Sequence, residues 1–147
     1  MHKKNSLKNK VLLDTSFLLP ILGFETSDRV MEALQKLGSY ELYYNDISLF
    51  EALWKIVKIV KGTEEVSRIK EGIRAIENSM NYASIDEASM ENAIHMYKLG
   101  HKDMIDNLLY SIALSKELKL LTVDNELIKF VNERGLARHN IILPEEL

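Results

Sequence analysis

HKDMIDNLLYSIALSKELKLLTVD, residues 101–124, is the stretch on which the fold of this chain turns. Between Met104 and Leu118 it carries Met104, Ile105, Leu108, Leu109, Ile112, Ala113, Leu114 and Leu118. That is too apolar for a surface helix, and it predicts a helix in the interior of a layered domain. KLLTV, residues 119–123, reads as a short strand, with Asp124 just past its end. Asp106 falls in the first helical turn, where a carboxylate entering an apolar interior costs free energy unless something pairs with it. The candidate partners stand near the other end of the chain, in VLLDTSFLL, residues 11–19.

The 147 residues suit one domain with a sizeable core, expected over residues 10–147 behind a basic flexible arm, residues 1–9. Apolar residues make up 46%, which argues against disorder. Nineteen basic and 22 acidic residues give a net charge of −3, so the chain does not advertise nucleic-acid binding as a strongly basic domain would, nor exclude it. The absence of cysteine removes disulfides, thiolate metal sites and cysteine nucleophiles, and it fits a cytoplasmic location. Lys3, Lys4, Lys8 and Lys10 before VLLDTSFLLPILG imitate the start of a signal peptide. Asp14 interrupts that run, and a mid-membrane Asp costs roughly 2.5–3.5 kcal/mol on insertion scales. A soluble strand is the better reading, and no other window approaches membrane-spanning length.

In chain order, Lys10 to Leu13 reads as a strand buried on both faces, as in a parallel sheet. Ser27 is the expected N-cap of a helix carrying Val30, Met31, Ala33, Leu34 and Leu37 and closed by Gly38. Glu41 to Tyr44 reads as a second strand, followed by a helix from about Ser48 to Lys61 that stops at Gly62. A more polar helix spans about Thr63 to Asn78, and residues 82–85 are a candidate third strand. Ser84 and Glu87 bracket an expected capping box for a helix ending at Gly100. After the helix and strand of residues 104–123, a helix from about Asn125 to Arg134 stops at Gly135, and Asn140 to Leu143 reads as an edge strand. Strands alternate with helices throughout, with no repeat, low-complexity segment or long linker. The expected fold is α/β, a three-layer sandwich with a mainly parallel central sheet flanked by helices.

Four acids take parallel places in that pattern. Asp14 and Asp124 follow strands, and Glu51 and Asp106 stand in first turns of helices. In a parallel sheet the carboxyl ends of the strands and the starts of the following helices share one edge, where such folds place their sites. Four carboxylates there repel one another and call for cations, and Mg²⁺ or Mn²⁺ suits an all-oxygen cage. Two such ions, about 3.5–4 Å apart, can activate water and steady the leaving oxygen in phosphodiester cleavage. Each acid also has an ordinary reading. Ser48 to Glu51 matches a capping box, Asp103 can N-cap a helix whose dipole favours Asp106, and Asp14 and Asp124 can be turn residues. Singly, those readings are at least as good; four coincidences at one sheet edge are less plausible.

Other motifs fail. The second Asp of a haloacid-dehalogenase-type phosphatase is Ser16 here, and no GxGxxG, P-loop or nucleophile elbow is present. His2, His95, His101 and His139 lack metal-ligand spacing, and His101 reads as a solvent-facing loop residue within reach of the acidic edge.

VLLDTSFLLPIL, SLFEALWK and MIDNLLYSIALSKELKLLTVDNELIKF together resemble the successive signature segments of the PIN-domain family of metal-dependent ribonucleases. The first and last are the more specific, and residues 55–100 are the variable part. The resemblance implies that Asp14, Glu51, Asp106 and Asp124 are metal ligands and catalytic acids. Ser16 and Thr122 fall on small hydroxyl positions supporting them, and Asp103 on an additional acid at the rim. Asn107 departs from the pattern, where a small residue such as Ala is more usual; it is a candidate to hydrogen-bond a phosphate or a ligand carboxylate, or equally the mark of a divergent subfamily. Many small family members are toxins of toxin–antitoxin pairs, of the VapC-like kind, and often dimeric. The expectation is therefore a Mg²⁺- or Mn²⁺-dependent endoribonuclease, with RNA as substrate, an antitoxin protein and a second copy of the chain as partners, and no membrane. Lys55, Lys58, Lys61 and Lys102 are candidates to line the RNA approach, although a solvated helix face accounts for most of them. Tyr43, Tyr44 and Trp54 are candidates for base stacking, against the commoner roles of core packing and interfaces. The alternatives are a non-catalytic PIN-like module that binds RNA or a protein, and a metal-dependent phosphohydrolase acting on small esters.

Overall fold

Val11, Leu12 and Leu13 are completely buried in the computed structural model, which describes residues 9–147. The N-terminal basic arm lies outside the described residues except for Asn9. These three side chains belong to β1 (Lys10–Leu13), the central strand of a five-stranded sheet in the order β3-β2-β1-β4-β5. The short helix α1 (Thr15–Leu18) follows β1 directly, and α2 (Asp28–Gln35) runs on to a single 3₁₀ turn, Leu37–Ser39. Then come β2 (Glu41–Tyr44), α3 (Asp46–Ile56) with a 3₁₀ turn at Val57–Ile59, and α4 (Thr63–Ser79). β3 (Asn81–Tyr82) leads into α5 (Glu87–Leu99) and α6 (Met104–Ser115), and β4 (Lys119–Leu121) into α7 (Asn125–Glu133) and β5 (Ile141–Ile142).

Every strand pairing described is parallel, with Leu12 opposite both Tyr43 and Leu120. Period-two alternation then sorts the side chains. Val11, Leu13 and Leu121 face a core shared with Phe17, Val30, Ala52 and Ile76, from α1 to α4. Leu12 and Leu120 face the opposite core, with Met96, Leu109, Ile112 and Val131 from α5 to α7. The result is the expected three-layer sandwich. Each such side chain contributes about 1.5–3 kcal/mol on burial, which fixes the register of the central strands.

Several boundaries differ from the sequence reading. α3 starts two residues earlier than expected because Asn45, whose Oδ1 accepts from Ile47 N at 2.8 Å, is its N-cap. Ser48 and Glu51 therefore form no capping box, and Glu51 sits in the second turn. The α5 capping box is Asp86 with Ser89, not Ser84 with Glu87, and both reciprocal bonds are present. Gly100 (φ 122°) and Gly135 (φ 65°) close their helices in the left-handed region, as expected. Gly38 lies inside a 3₁₀ turn, and Gly62 is the N-cap of α4.

Candidate functional site

The sheet supplies the geometry of the site. From β1 the chain goes to β2 and β3 on one side, then returns to place β4 and β5 on the other, so the strand order reverses between β1 and β4. Ligands bind at the carboxyl ends flanking such a switch point. Asp14 directly follows β1, and Asp124 follows β4 by three residues.

Each acid is held by its local backbone. Asp14 caps α1, its Oδ1 accepting from Ser16 N at 2.9 Å, while its Oδ2 accepts from Thr122 Oγ1 at 2.6 Å. Thr122 Oγ1 in turn accepts from Asp124 N at 3.0 Å, so one hydroxyl ties both strand ends together. Asp124 caps α7, its Oδ1 accepting from Glu126 N and Leu127 N. Asp103 caps α6 through bonds from Ile105 N and Asp106 N, both 3.1 Å. Asp106 is thereby presented from the first turn of α6. Glu51, from α3, accepts a hydrogen bond from Thr15 Oγ1.

Asp14, Glu51, Asp106 and Asp124 line one cavity of about 240 Å³, together with Thr15, Ser16, Lys55, Asp103 and Val123. Thr15 escaped the sequence reading, whereas Lys55 was already a candidate to line the approach to the acids. Thr15 lies 36 residues from Glu51, and only the folded backbone brings them together. Among the described residues, no three His, Cys, Asp or Glu side chains stand in an arrangement that could hold a metal ion. The acids are instead engaged in pairs, Asp14 with Thr122, Glu51 with Thr15, and Asp106 with Asp124.

Crowding sets their protonation. Burial pushes the Asp14 carboxyl up to about 6, aided by the charge of Asp124 and opposed by the Thr122 and Ser16 bonds and by Lys55. Burial also raises Asp106, and the hydrogen bond to Asp124 and the charges of Asp124, Asp103 and Asp14 raise it further. Asp124 is lowered, first by its bond from Asp106, then by the backbone N–H groups at the start of α7 and by His101. Asp106 and Asp124 are displaced in opposite directions, as two like-charged carboxyls crowded together are.

Two residues depart from expectation. Asn107 is fully buried and turned away from the cavity, with Nδ2 donating to His101 O at 2.7 Å and Oδ1 standing 2.6 Å from His101 Nδ1. It fastens the α5–α6 loop and reaches neither a phosphate site nor a carboxylate of the cavity. His101 is buried rather than solvent-facing, with its ring 5.1 Å from that of Phe130. A polar residue one step from a site acid gives no sign in sequence of which way it faces. On α6 a 100° step turns Asn107 inward while Asp106 faces the cavity.

The family model described as the PIN domain matches residues 11–132. Among solved structures, the FitAB complex bound to an IR36 DNA fragment is similar with a TM-score of 0.65 and 16% identity, covering 93% of this chain and 96% of that one. A toxin–antitoxin complex from Klebsiella pneumoniae gives a TM-score of 0.65 at 14% identity, covering 93% and 99%. VapBC2 from Rickettsia felis, bound to DNA from its promoter, gives 0.60 at 14%, covering 90% and 96%. These likenesses are of fold. No curated protein matches the sequence. No helix among the described residues is long and apolar enough to cross a membrane.

Proposed function

We propose, from the premise that this chain belongs to the PIN-domain family, that it is a divalent-metal-dependent endoribonuclease. The reading rests on one observation, the four carboxylates of Asp14, Glu51, Asp106 and Asp124 lining a single cavity at the switch point of a parallel sheet. The donors are all hard oxygens, which fits Mg²⁺ or Mn²⁺. The charges of Asp124, Asp103 and Asp14 that raise the Asp106 carboxyl mark a place where a cation would relieve repulsion.

In this reading Asp14, Asp106 and Asp124 hold the ion, and Glu51 completes the set or orients water through a hydrogen bond. When bound, the ion supplies charge neutralisation at the phosphate and a more acidic water. Thr122 and Ser16 fix the Asp14 carboxylate, Thr15 fixes Glu51, and Asp103 stands at the rim. Lys55 offers an ammonium group to the phosphate. Glu51 accepts from Thr15 through Oε1, which leaves Oε2 available to an ion.

The toxin–antitoxin nature of the Klebsiella pneumoniae complex supports an antitoxin partner for this chain too. A second reading is a PIN-like module that binds RNA or protein without cutting. It is favoured by the finding that no three His, Cys, Asp or Glu side chains among the described residues stand in an arrangement that could hold a metal ion.

A panel of single-stranded RNAs incubated with wild type and Asp14→Asn, each in Mn²⁺, Mg²⁺ or EDTA, separates the two. Metal-dependent cutting lost in Asp14→Asn is the expected result. No cutting, together with no calorimetric heat of Mn²⁺ binding, leaves the non-catalytic module.

A further inference from the structure

Phe50 and Trp54 occupy i and i+4 on α3 and are 62% and 66% exposed, more than any other large apolar side chain described. Their rings lie 6.1 Å apart, tilted by 35°, with the outer faces open to solvent. Neither packs into the core. Glu51 follows Phe50 immediately and Lys55 follows Trp54, and both line the acidic cavity. At about 100° per residue, Trp54 lies roughly 60° round the helix from Glu51 and one turn further on. The rings therefore stand on the helix that carries two cavity residues, each ring directly before one of them in sequence. Beyond α3, Lys58 in the 3₁₀ turn Val57–Ile59 and Lys61 after it are exposed.

Exposed aromatic faces followed by a run of lysines match one class of ligand. Single-stranded nucleic acid is bound by aromatic side chains that stack bases and by cations that track phosphates. We propose that Phe50 and Trp54 form a base-stacking platform for single-stranded RNA leading into the carboxylate cavity, with Lys58 and Lys61 carrying its phosphates. The proposal rests on the endoribonuclease reading for its substrate class. It explains how a chain of net charge −3 brings a polyanion to a cluster of acids. The attraction is local and comes from α3 and the segment that follows it. Phe50 and Trp54 are positioning residues, remote from the bond that breaks.

Trp54 is the single tryptophan of the chain, so its emission reports directly on this surface. The test titrates the full chain with oligouridylate in EDTA, where nothing is cut, and follows that emission. Saturable quenching is expected. Phe50→Ala should weaken binding roughly tenfold or more, the scale of one lost stack. Lys58→Ala and Lys61→Ala should each lower the slope of log K against log salt by ~0.7. With Mn²⁺, Phe50→Ala and Trp54→Ala should raise KM for long RNA at unchanged kcat, with Trp54→Phe restoring KM and a dinucleotide cut equally by all. A general loss of structure would move kcat and the dinucleotide as well. Emission unmoved by RNA, with unchanged KM in both alanine variants, overturns the proposal and assigns the rings to a protein partner. Quenching without any metal-dependent cutting keeps the platform and overturns only the nuclease reading.

Discussion

Thr122 Oγ1 donates a 2.6 Å hydrogen bond to Asp14 Oδ2 across 108 residues of chain, joining the ends of β4 and β1. The same oxygen accepts from Asp124 N. Thr122→Val keeps the shape and removes both bonds, leaving a buried carboxylate short of a donor and a backbone N–H short of an acceptor. Loss of the bond to the charged carboxylate costs about 1.5–3 kcal/mol. Urea unfolding at pH 8 and pH 4.5 should show the larger loss at pH 8, where Asp14 is ionised. Equal losses at both values would mean that the bond does not favour the charged form.

The metal-free protein should grow less stable as pH rises. Asp14 titrates near 3.8 when unfolded and about 6 when folded. The folded state therefore binds more protons between those values, and stability falls across that window. The contribution is fully present below about pH 4 and lost above about pH 6, amounting to about 3 kcal/mol. Asp106 is displaced in the same direction and extends the decline upward. Asp124 is displaced the opposite way and loses its contribution as pH falls through the acid range. Asp14→Asn should flatten the slope between pH 4 and 6 and melt higher than wild type at pH 8 in EDTA. A flat wild-type profile, or a variant unfolded at pH 8, would show that Asp14 is simply structural.

Manganese should reverse that decline. Binding requires deprotonated carboxylates, so the ion stabilises more at pH 8 than at pH 5. At about 100-fold above Kd the gain is ~2.7 kcal/mol. Asp106→Asn should abolish it while leaving the metal-free melting temperature at pH 8 unchanged or raised, because an amide sits beside Asp124 without the repulsion that raises the Asp106 carboxyl. A manganese-induced rise that survives in Asp106→Asn would place the ion elsewhere.

The fold was legible where physical signals were local. Continuous burial of Val11 to Leu13 declared a strand covered on both faces, and the apolar circumference of α6 declared an interior helix. That Asp14, Glu51, Asp106 and Asp124 converge on one cavity was legible through topology, since a parallel sheet places strand ends and helix starts on one edge. Caps were harder. Asn45 outcompeted Ser48 as N-cap because its Nδ2 also reaches Ala83 O at 2.7 Å, a contact with the end of β3 that local spacing does not encode. Thr15 was missed for the same reason, its role depending on where α3 brings Glu51. Asn107 was read toward the site because the side of a helix it faces depends on how α5 packs against it.

Asn107→Ala tests that reversal. Nδ2 bridges His101 O and Ala93 O, and Oδ1 meets the His101 ring. Removing the amide strands buried groups at each contact, a cost of about 2–4 kcal/mol summed over bonds of ~1 kcal/mol or more each. Thermal unfolding should show the loss, while cleavage per folded molecule at low temperature stays near wild type. A stable Asn107→Ala protein with impaired cleavage would return Asn107 to the site.

Gly72 makes the opposite case to its helix propensity. It lies inside α4, where alanine would ordinarily add about 1 kcal/mol of stability. A Cβ there would stand 2.4 Å from Ile21 O and 3.0 Å from Leu22 Cα, both backbone atoms of the turn after α1. No rotamer change relieves a clash with backbone, so helix and turn must separate. Gly72→Ala should destabilise by about 1–3 kcal/mol despite its propensity. Gly38→Ala, with nothing within 4 Å of the added carbon, is the matched control and should change stability little. Displacing Ile21 also pulls on α1, whose first residues Thr15 and Ser16 hold Glu51 and Asp14. Metal-dependent cleavage should therefore fall in Gly72→Ala even where the protein remains folded. Stability at or above wild type would mean that α4 does not press its backbone against that turn.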